Sequence, residues 1–327
     1  MKATQCRQCG LPLSTDAVDR ECAACREKGE SARVRTEGEE GGEASAFPWG
    51  FGEYELLGQI GRGGMGVVYR ARRIGREEVV ALKIPIVGVG LDQATRERFR
   101  REVEAARLQH ANIVMVHDVG EVDGRPYFTM DLVDGPDLVA LGGGRPLAPR
   151  QAVGYLRDIA SAVAAAHAAG LLHCDLKPSN VLVGSDGRAR VADFGLAVGV
   201  DPSANAVDGG PGRWLGSPSY ASPEQLAPTP SALGPRCDVY GLGAILYYLS
   251  TGRAPFVGPS ALDTIRLVLG TAPVEPGRLN AALPRELEAI ILKCLAKDPA
   301  ARYGSAMEVI QELDRFLKGQ EVRATKF

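Results

Sequence analysis

Only 6% of this 327-residue chain is aromatic, and its charge is nearly balanced, with 38 Lys and Arg against 40 Asp and Glu for a formal net charge of −2. Neither a basic field nor a bank of stacking rings is available for nucleic acid, which argues against that class of partner. No apolar run approaches the roughly 20 residues of a membrane-crossing helix. The longest, Val239 to Leu249, is bracketed by Asp238, Gly252 and Pro255 and reads as a buried core helix. The opening Met1-Lys2-Ala3-Thr4-Gln5 has no apolar h-region, so no secretory leader is expected, and the expected location is the cytoplasm.

Cysteine is scarce except at one end. Four of the seven lie in the first 25 residues, while Cys174, Cys237 and Cys294 are dispersed and read as small buried residues. In a reducing compartment the cluster reads as a metal site rather than a disulfide frame. Cys6-Arg7-Gln8-Cys9 and Cys22-Ala23-Ala24-Cys25 are two pairs separated by twelve residues. Each pair turns two thiolates toward one point, and four thiolates make a closed tetrahedral zinc site. So short a segment has no core of its own, and metal binding should fold it.

What remains is ordinary globular sequence, 45% apolar and 24% charged, and long enough for a large body with a small appendage. Residues 1–27 are the cysteine-rich module, and residues 28–50, rich in Gly and Glu, read as an acidic linker. From Tyr54 short β-branched runs predict strands at 55–60, 67–69 and 79–84, then a helix over 93–108 and strands at 113–119 and 127–132. After Gly135-Pro136 the apolar period becomes helical, as in the stripe Tyr155, Ile159, Ala162, Val163 and Ala166. A small β-rich lobe thus precedes a larger α-rich one.

Gly61-Arg62-Gly63-Gly64-Met65-Gly66-Val67-Val68 is a glycine-rich turn between two strands, where backbone N–H groups can approach phosphate oxygens. Lys83 closes an apolar strand and is costly to bury without an anion. On the following helix Glu102 shares the arc of Phe99, Val103 and Ala106, whereas Glu104 lies some 200° further round at about 100° per residue. His173-Cys174-Asp175-Leu176-Lys177-Pro178-Ser179-Asn180, a hairpin turning at Ser185-Asp186-Gly187, and Asp193-Phe194-Gly195 complete the set. Phosphoryl transfer needs a carboxylate for the attacking hydroxyl, cations for developing charge and oxygen ligands for magnesium. Asp175, Lys177, and Asn180 with Asp193 supply these in turn.

With these motifs in order, the chain resembles the bacterial, eukaryotic-like serine/threonine protein kinases. The resemblance implies an α+β bilobal kinase fold over residues 54–318, with an N-lobe at 54–132, a C-lobe at 136–318 and a tail at 319–327, preceded by a zinc-ribbon-like module. It implies ATP with Mg2+ or Mn2+ as cofactors, structural Zn2+, protein Ser/Thr hydroxyls as substrates, and partners bound through the zinc module or a homodimer. Asp175, Lys177, Lys83 and Glu102 would be catalytic. Gly61, Gly63, Gly66, Val68, Ala81, Lys83, Asn180 and Asp193 would bind nucleotide, with Met130 as gatekeeper and Asp131 and Val133 in the hinge. Asn180 and Asp193 would hold magnesium, and Cys6, Cys9, Cys22 and Cys25 zinc. Arg302 would pair with Glu224 of Ser222-Pro223-Glu224, and Ser217 would brace the catalytic loop. The alternative is a pseudokinase scaffold.

Three departures stand out. Cys174 replaces an arginine, Ser222 an alanine, and the Glu102–His110 stretch is one residue short, which leaves Glu104 as a second candidate partner for Lys83. Without that arginine, and with Ser203 the only hydroxyl side chain between Leu196 and Leu215, an activation-loop phospho-switch is not expected.

Overall fold

A computed structural model describes residues 47–63, 66–85, 108–193, 198–199, 217–227 and 233–324, all within a unit spanning Phe47–Phe327. The zinc-module cysteines, most of the linker, the helix expected over 93–108 up to residue 107, and Ser203 lie outside the described residues.

Six strands form one antiparallel sheet: β1 Trp49–Phe51, β2 Tyr54–Gly63, β3 Gly66–Arg73, β4 Val79–Pro85, β5 Val116–Val122 and β6 Arg125–Met130, in the order β1-β2-β3-β4-β6-β5. The sheet starts before the expected boundary at 54. Trp49–Phe51 pairs with Tyr54–Leu56, and Phe47 and Trp49 pack on the Tyr69 ring, so Trp49 and Gly50 belong to the sheet and Phe47 packs on it, although the linker was expected to run to residue 50. One side of the sheet is cored by Phe51, Tyr54, Leu56, Leu82 and Tyr127, with the Phe51 and Tyr54 rings each 5.5 Å from Tyr127 in edge-on geometry.

The strand expected at 113–119 begins at Val116 instead. Ile113 forms an isolated parallel bridge to Val191 and is buried in the core of the second lobe, because Val114 N–H donates to Val191 O and Val191 N–H to Asn112 O. Residues 112–114 thereby tie the two lobes together.

The second lobe continues with α1 Leu138–Gly142, α2 Pro149–Ala168, β7 Leu171–Leu172, a 3-10 turn Pro178–Asn180, β8 Val181–Val183, β9 Ala189–Val191, β10 Val198–Gly199, α3 Pro223–Leu226, α4 Pro235–Thr251, α5 Ala261–Gly270, α6 Pro276–Leu279, α7 Arg285–Cys294 and α8 Ala306–Leu317. Two short antiparallel pairs follow, β7 with β10 and the hairpin β8 with β9. Helix α4 is buried on all sides, with Val239, Leu242, Ile245, Leu246 and Tyr247 fully enclosed, as its unbroken apolar run predicts. Each such side chain contributes roughly 1.5–3 kcal/mol, so α4 is the pillar on which the loops above it rest. Among the described residues no helix is long and apolar enough to cross a membrane.

The expected tail is anchored up to residue 324. Buried Glu312 on α8 accepts from the N–H groups of Arg323 and Ala324, and Ala324 joins the core.

Candidate active site

Lys83 ends the β4 run Val80-Ala81-Leu82, pairs in register with Val68 and Phe128, and is 4% exposed. Its Nζ lies 2.7 Å from Asp193 Oδ1 and 5.6 Å from the Phe128 ring centroid. Among the described residues, Asp193 is an anion that makes this burial tolerable. Burial is the largest single influence and pushes the Asp193 carboxyl toward protonation, but the charge and hydrogen bond of Lys83, together with neighbouring charges such as Lys177, outweigh it and hold the group below the usual carboxylate range. Glu102 and Glu104 lie outside the described residues.

The loop carrying Asp175 leaves β7 and is fixed from beneath. Asp238, in the first turn of α4, accepts from His173 N–H and Cys174 N–H, each at 2.8 Å, and contacts His167 Nε2 at 2.8 Å. Burial alone would raise the Asp238 pKa, but the His167 hydrogen bond and charge hold it below the ordinary value. Gly241, one turn further along, is required here: a Cβ on it would stand 2.8 Å from Leu176 Cβ. His173 is fully enclosed, so burial lowers its pKa; its neutral ring donates from Nε2 to Ala192 O at 3.3 Å and accepts Asp175 N–H at Nδ1 at 3.1 Å. Ala192 N–H in turn donates to Asn180 O, so the residue before Asp193 is held on both sides by the Asp175 loop.

Asp175 Oδ2 receives Lys177 Nζ at 2.6 Å and Asn180 Nδ2 at 3.1 Å, and Asn180 Nδ2 also reaches Asp175 O at 2.9 Å. The Asn180 amide nitrogen is committed to this loop, which leaves its carbonyl oxygen as the atom able to ligate a metal beside Asp193. Cys174 and Asp193 both hold positive φ, 60° and 58°, which is uncommon for non-glycine residues and is found where surrounding contacts over-determine the backbone.

Above these groups lies an apolar layer of Ala81, Val114, Val116, Phe128, Met130 and Ala192, with Val68, Leu132, Val133 and Leu182 packed on it. Four residues expected in a nucleotide site, Val68, Ala81, Met130 and Val133, are therefore together. Asp131 N–H is used by Met115 O, whereas the hydrogen bonds of the described residues engage neither Asp131 C=O nor Val133 N–H. Leu182 was not anticipated, although alternation in Val181-Leu182-Val183 turns its side chain away from the helical-lobe core that Val181 and Val183 join and toward this apolar layer. Gly61 and Gly66 flank the glycine turn at the end of the β2–β3 ladder, and Gly63 pairs with Gly66. Gly66 is needed for packing as well, since a Cβ there would lie 2.8 Å from Ile84 O. Gly61 has ordinary room.

Arg302 and Glu224 meet as expected, in a bidentate pair at 2.6 and 2.8 Å, with Arg302 also donating to the carbonyls of Arg236, Ala296 and Lys297. Ser217 makes no side-chain hydrogen bond to the Asp175 loop among the described residues. The brace from this segment is Gln225, whose Nε2 donates to Cys174 O at 2.7 Å while its Oε1 accepts from Ser222 N–H and Oγ–H. A glutamine at N3 behind Ser222 is a capping-box signal that could have found it.

A paired ammonium and carboxylate, a second carboxylate flanked by an ammonium, and an apolar layer beside hinge groups left unbonded by the described residues suit phosphoryl transfer from a nucleotide. A protein kinase domain model matches residues 54–313. The chain is 39% identical over 256 residues to serine/threonine-protein kinase PknE of Mycobacterium tuberculosis, covering 77% of this chain and 44% of that protein. It is 37% identical over 281 residues to PknB of Mycolicibacterium smegmatis, covering 84% and 44%. The chain thus spans less than half the length of these curated relatives. The crystal structure of a cysteine-to-alanine mutant of the Mycobacterium tuberculosis PknI kinase domain superposes with a TM-score of 0.64 at 30% identity, over 84% of this chain and 99% of that one. The chain belongs to the protein kinase domain family.

Proposed function

We propose that this chain is a bacterial signalling serine/threonine protein kinase that transfers the γ-phosphate of ATP to Ser and Thr hydroxyls of proteins. The observation that carries the reading is the meeting of Lys83 with Asp193 beside a loop in which Asp175, Lys177 and Asn180 are mutually bonded. Val68 and Ala81 with Leu182 would enclose the adenine, the hinge groups of Asp131 and Val133 would bond it, and Met130 would close the back of the site. Gly61, Gly63 and Gly66 admit the phosphates to the backbone, and Lys83 holds their charge. Asn180 and Asp193 would hold Mg2+ or Mn2+, which supplies positive charge to the phosphate oxygens. Asp175, with Oδ2 already engaged, accepts the substrate hydroxyl's proton on its other oxygen, and Lys177 neutralises the transferred group. Glu102 is the proposed further partner of Lys83. The complete residue set weighs against a pseudokinase scaffold.

We further propose that Cys6, Cys9, Cys22 and Cys25 hold one structural zinc, that this module or a homodimer contact recruits a partner protein, and that the protein works in the cytoplasm. The spacing of the cysteine pairs supports the metal. The test of the main reading is transfer of labelled γ-phosphate to a protein substrate, with the label recovered on Ser or Thr. Label on tyrosine alone, or none, would refute it.

A further inference from the structure

The thiols of Cys174 and Cys237 face each other at 3.8 Å in a small buried cluster with Leu172. The proposed transfer uses neither. Each stands one residue before a carboxylate on which the site depends, Asp175 and Asp238, and the Cys174 backbone is held on both sides, its N–H by Asp238 and its carbonyl by Gln225. Beside the two sulfurs is a cavity of about 10 Å³, lined also by Asp175, Tyr220, Gln225 and Asp238. That is room for about one water-sized molecule.

We propose that Cys174 and Cys237 are an oxidative modification site, in which hydrogen peroxide entering this cavity converts the pair to a disulfide and stops phosphoryl transfer. Cys174, 6% exposed against 2% for Cys237, attacks first: its sulfur gives up the thiol proton and takes one oxygen of the peroxide, the O–O bond breaks, and the hydroxide that leaves combines with that proton as water. The sulfenic acid so formed on Cys174 is attacked by Cys237 sulfur, the S–S bond forms, and a second water departs. Two thiols and one peroxide give one disulfide and two waters, with sulfur oxidised and peroxide oxygen reduced. The hydrogen bond to Cys174 and burial both push the Cys237 thiol well up, which keeps it protonated and leaves the first attack on peroxide to Cys174.

A disulfide needs the sulfurs at about 2.05 Å, so closing the 3.8 Å gap pulls Cys174 toward α4. Its neighbours Asp238 and Gln225 resist, and the shift falls on Asp175. A displacement of order 1 Å at a catalytic group costs up to about a hundredfold in rate. The loss of activity rests on the kinase reading above, whereas bond formation does not.

The experiment treats the reduced full-length protein with hydrogen peroxide and follows two readouts. Non-reducing peptide mapping should show the Cys174 peptide joined to the Cys237 peptide, about 2 Da lighter than the sum of the two reduced peptides. Phosphate transfer should fall roughly tenfold or more in step with that species and return on adding dithiothreitol. Cys237→Ser should keep its transfer rate under the same dose. Peroxide that inactivates the enzyme without the Cys174–Cys237 link, or a link that leaves the rate unchanged, overturns the proposal. Should Cys237→Ser not fold, the map and thiol rescue of the wild type decide alone. Reduced protein that transfers no phosphate overturns the kinase reading and the switch with it, while the map still decides whether the bond forms.

Discussion

Lys83 Nζ and Asp193 Oδ1 meet at 2.7 Å although 110 residues separate them. The contact joins the sheet lobe to the end of the hairpin of the helical lobe and places a cation beside the carboxylate proposed to hold the metal. Lys83→Met and Asp193→Ala should each lower phosphate transfer by roughly a thousandfold while leaving circular dichroism unchanged, because they remove directed charge rather than packing. Normal magnesium-dependent activity in Asp193→Ala would remove Asp193 from the metal site.

The Arg302–Glu224 pair is a test of stability. The Arg302 side chain is fully enclosed and Glu224 nearly so. Glu224→Ala should destabilise the fold by about 3–5 kcal/mol in denaturant unfolding, since it leaves a buried guanidinium without its counter-ion. The double variant Glu224→Leu, Arg302→Met should lose less than Glu224→Ala. Equal or greater loss would mean the pair contributes through something other than the unpaired charge.

His173 predicts a pH dependence. Burial depresses its folded-state pKa below 6.5, so between that lowered value and 6.5 the unfolded chain binds more protons than the folded one. The associated stability is complete above 6.5 and is lost as pH falls below it. Between about pH 7 and pH 5.5 the melting temperature of the wild type should fall more steeply than that of His173→Phe, which has no such proton to take up. Parallel profiles would show that His173 does not resist protonation.

For the N-terminal module, metal analysis in reducing buffer should find one zinc per chain, removed by chelation. Deletion should stop at Ala46, because Trp49–Phe51 pairs into the sheet, and the shortened protein should keep its transfer rate. No zinc, or loss of catalysis, would refute the respective half.

Local chemistry was readable from the sequence because its spacing is short: Asp175, Lys177 and Asn180 lie within six residues, and one glycine-rich turn holds Gly61 to Gly66. Long-range partners were not. Nothing in the sequence around Cys174 points to Cys237, 63 residues on, or to Gln225, 51 on, because only packing on α4 brings them together. Periodicity also misplaced the strand at 113–119, since Ile113 and Val114 are apolar for a different reason: they pair with β9 in the other lobe. The linker boundary failed because Phe47 and Trp49 are two aromatics in an acidic, glycine-rich stretch, and their partner Tyr69 is a strand away.

Asp175 is proposed to take the hydroxyl proton during transfer from ATP. The most direct measurement is incorporation of labelled γ-phosphate into a protein substrate by the wild type and by Asp175→Asn, which keeps the side chain's size but has no charge to receive a proton. Incorporation should fall by about a thousandfold or more with nucleotide binding preserved. Equal incorporation by the two proteins would contradict the account.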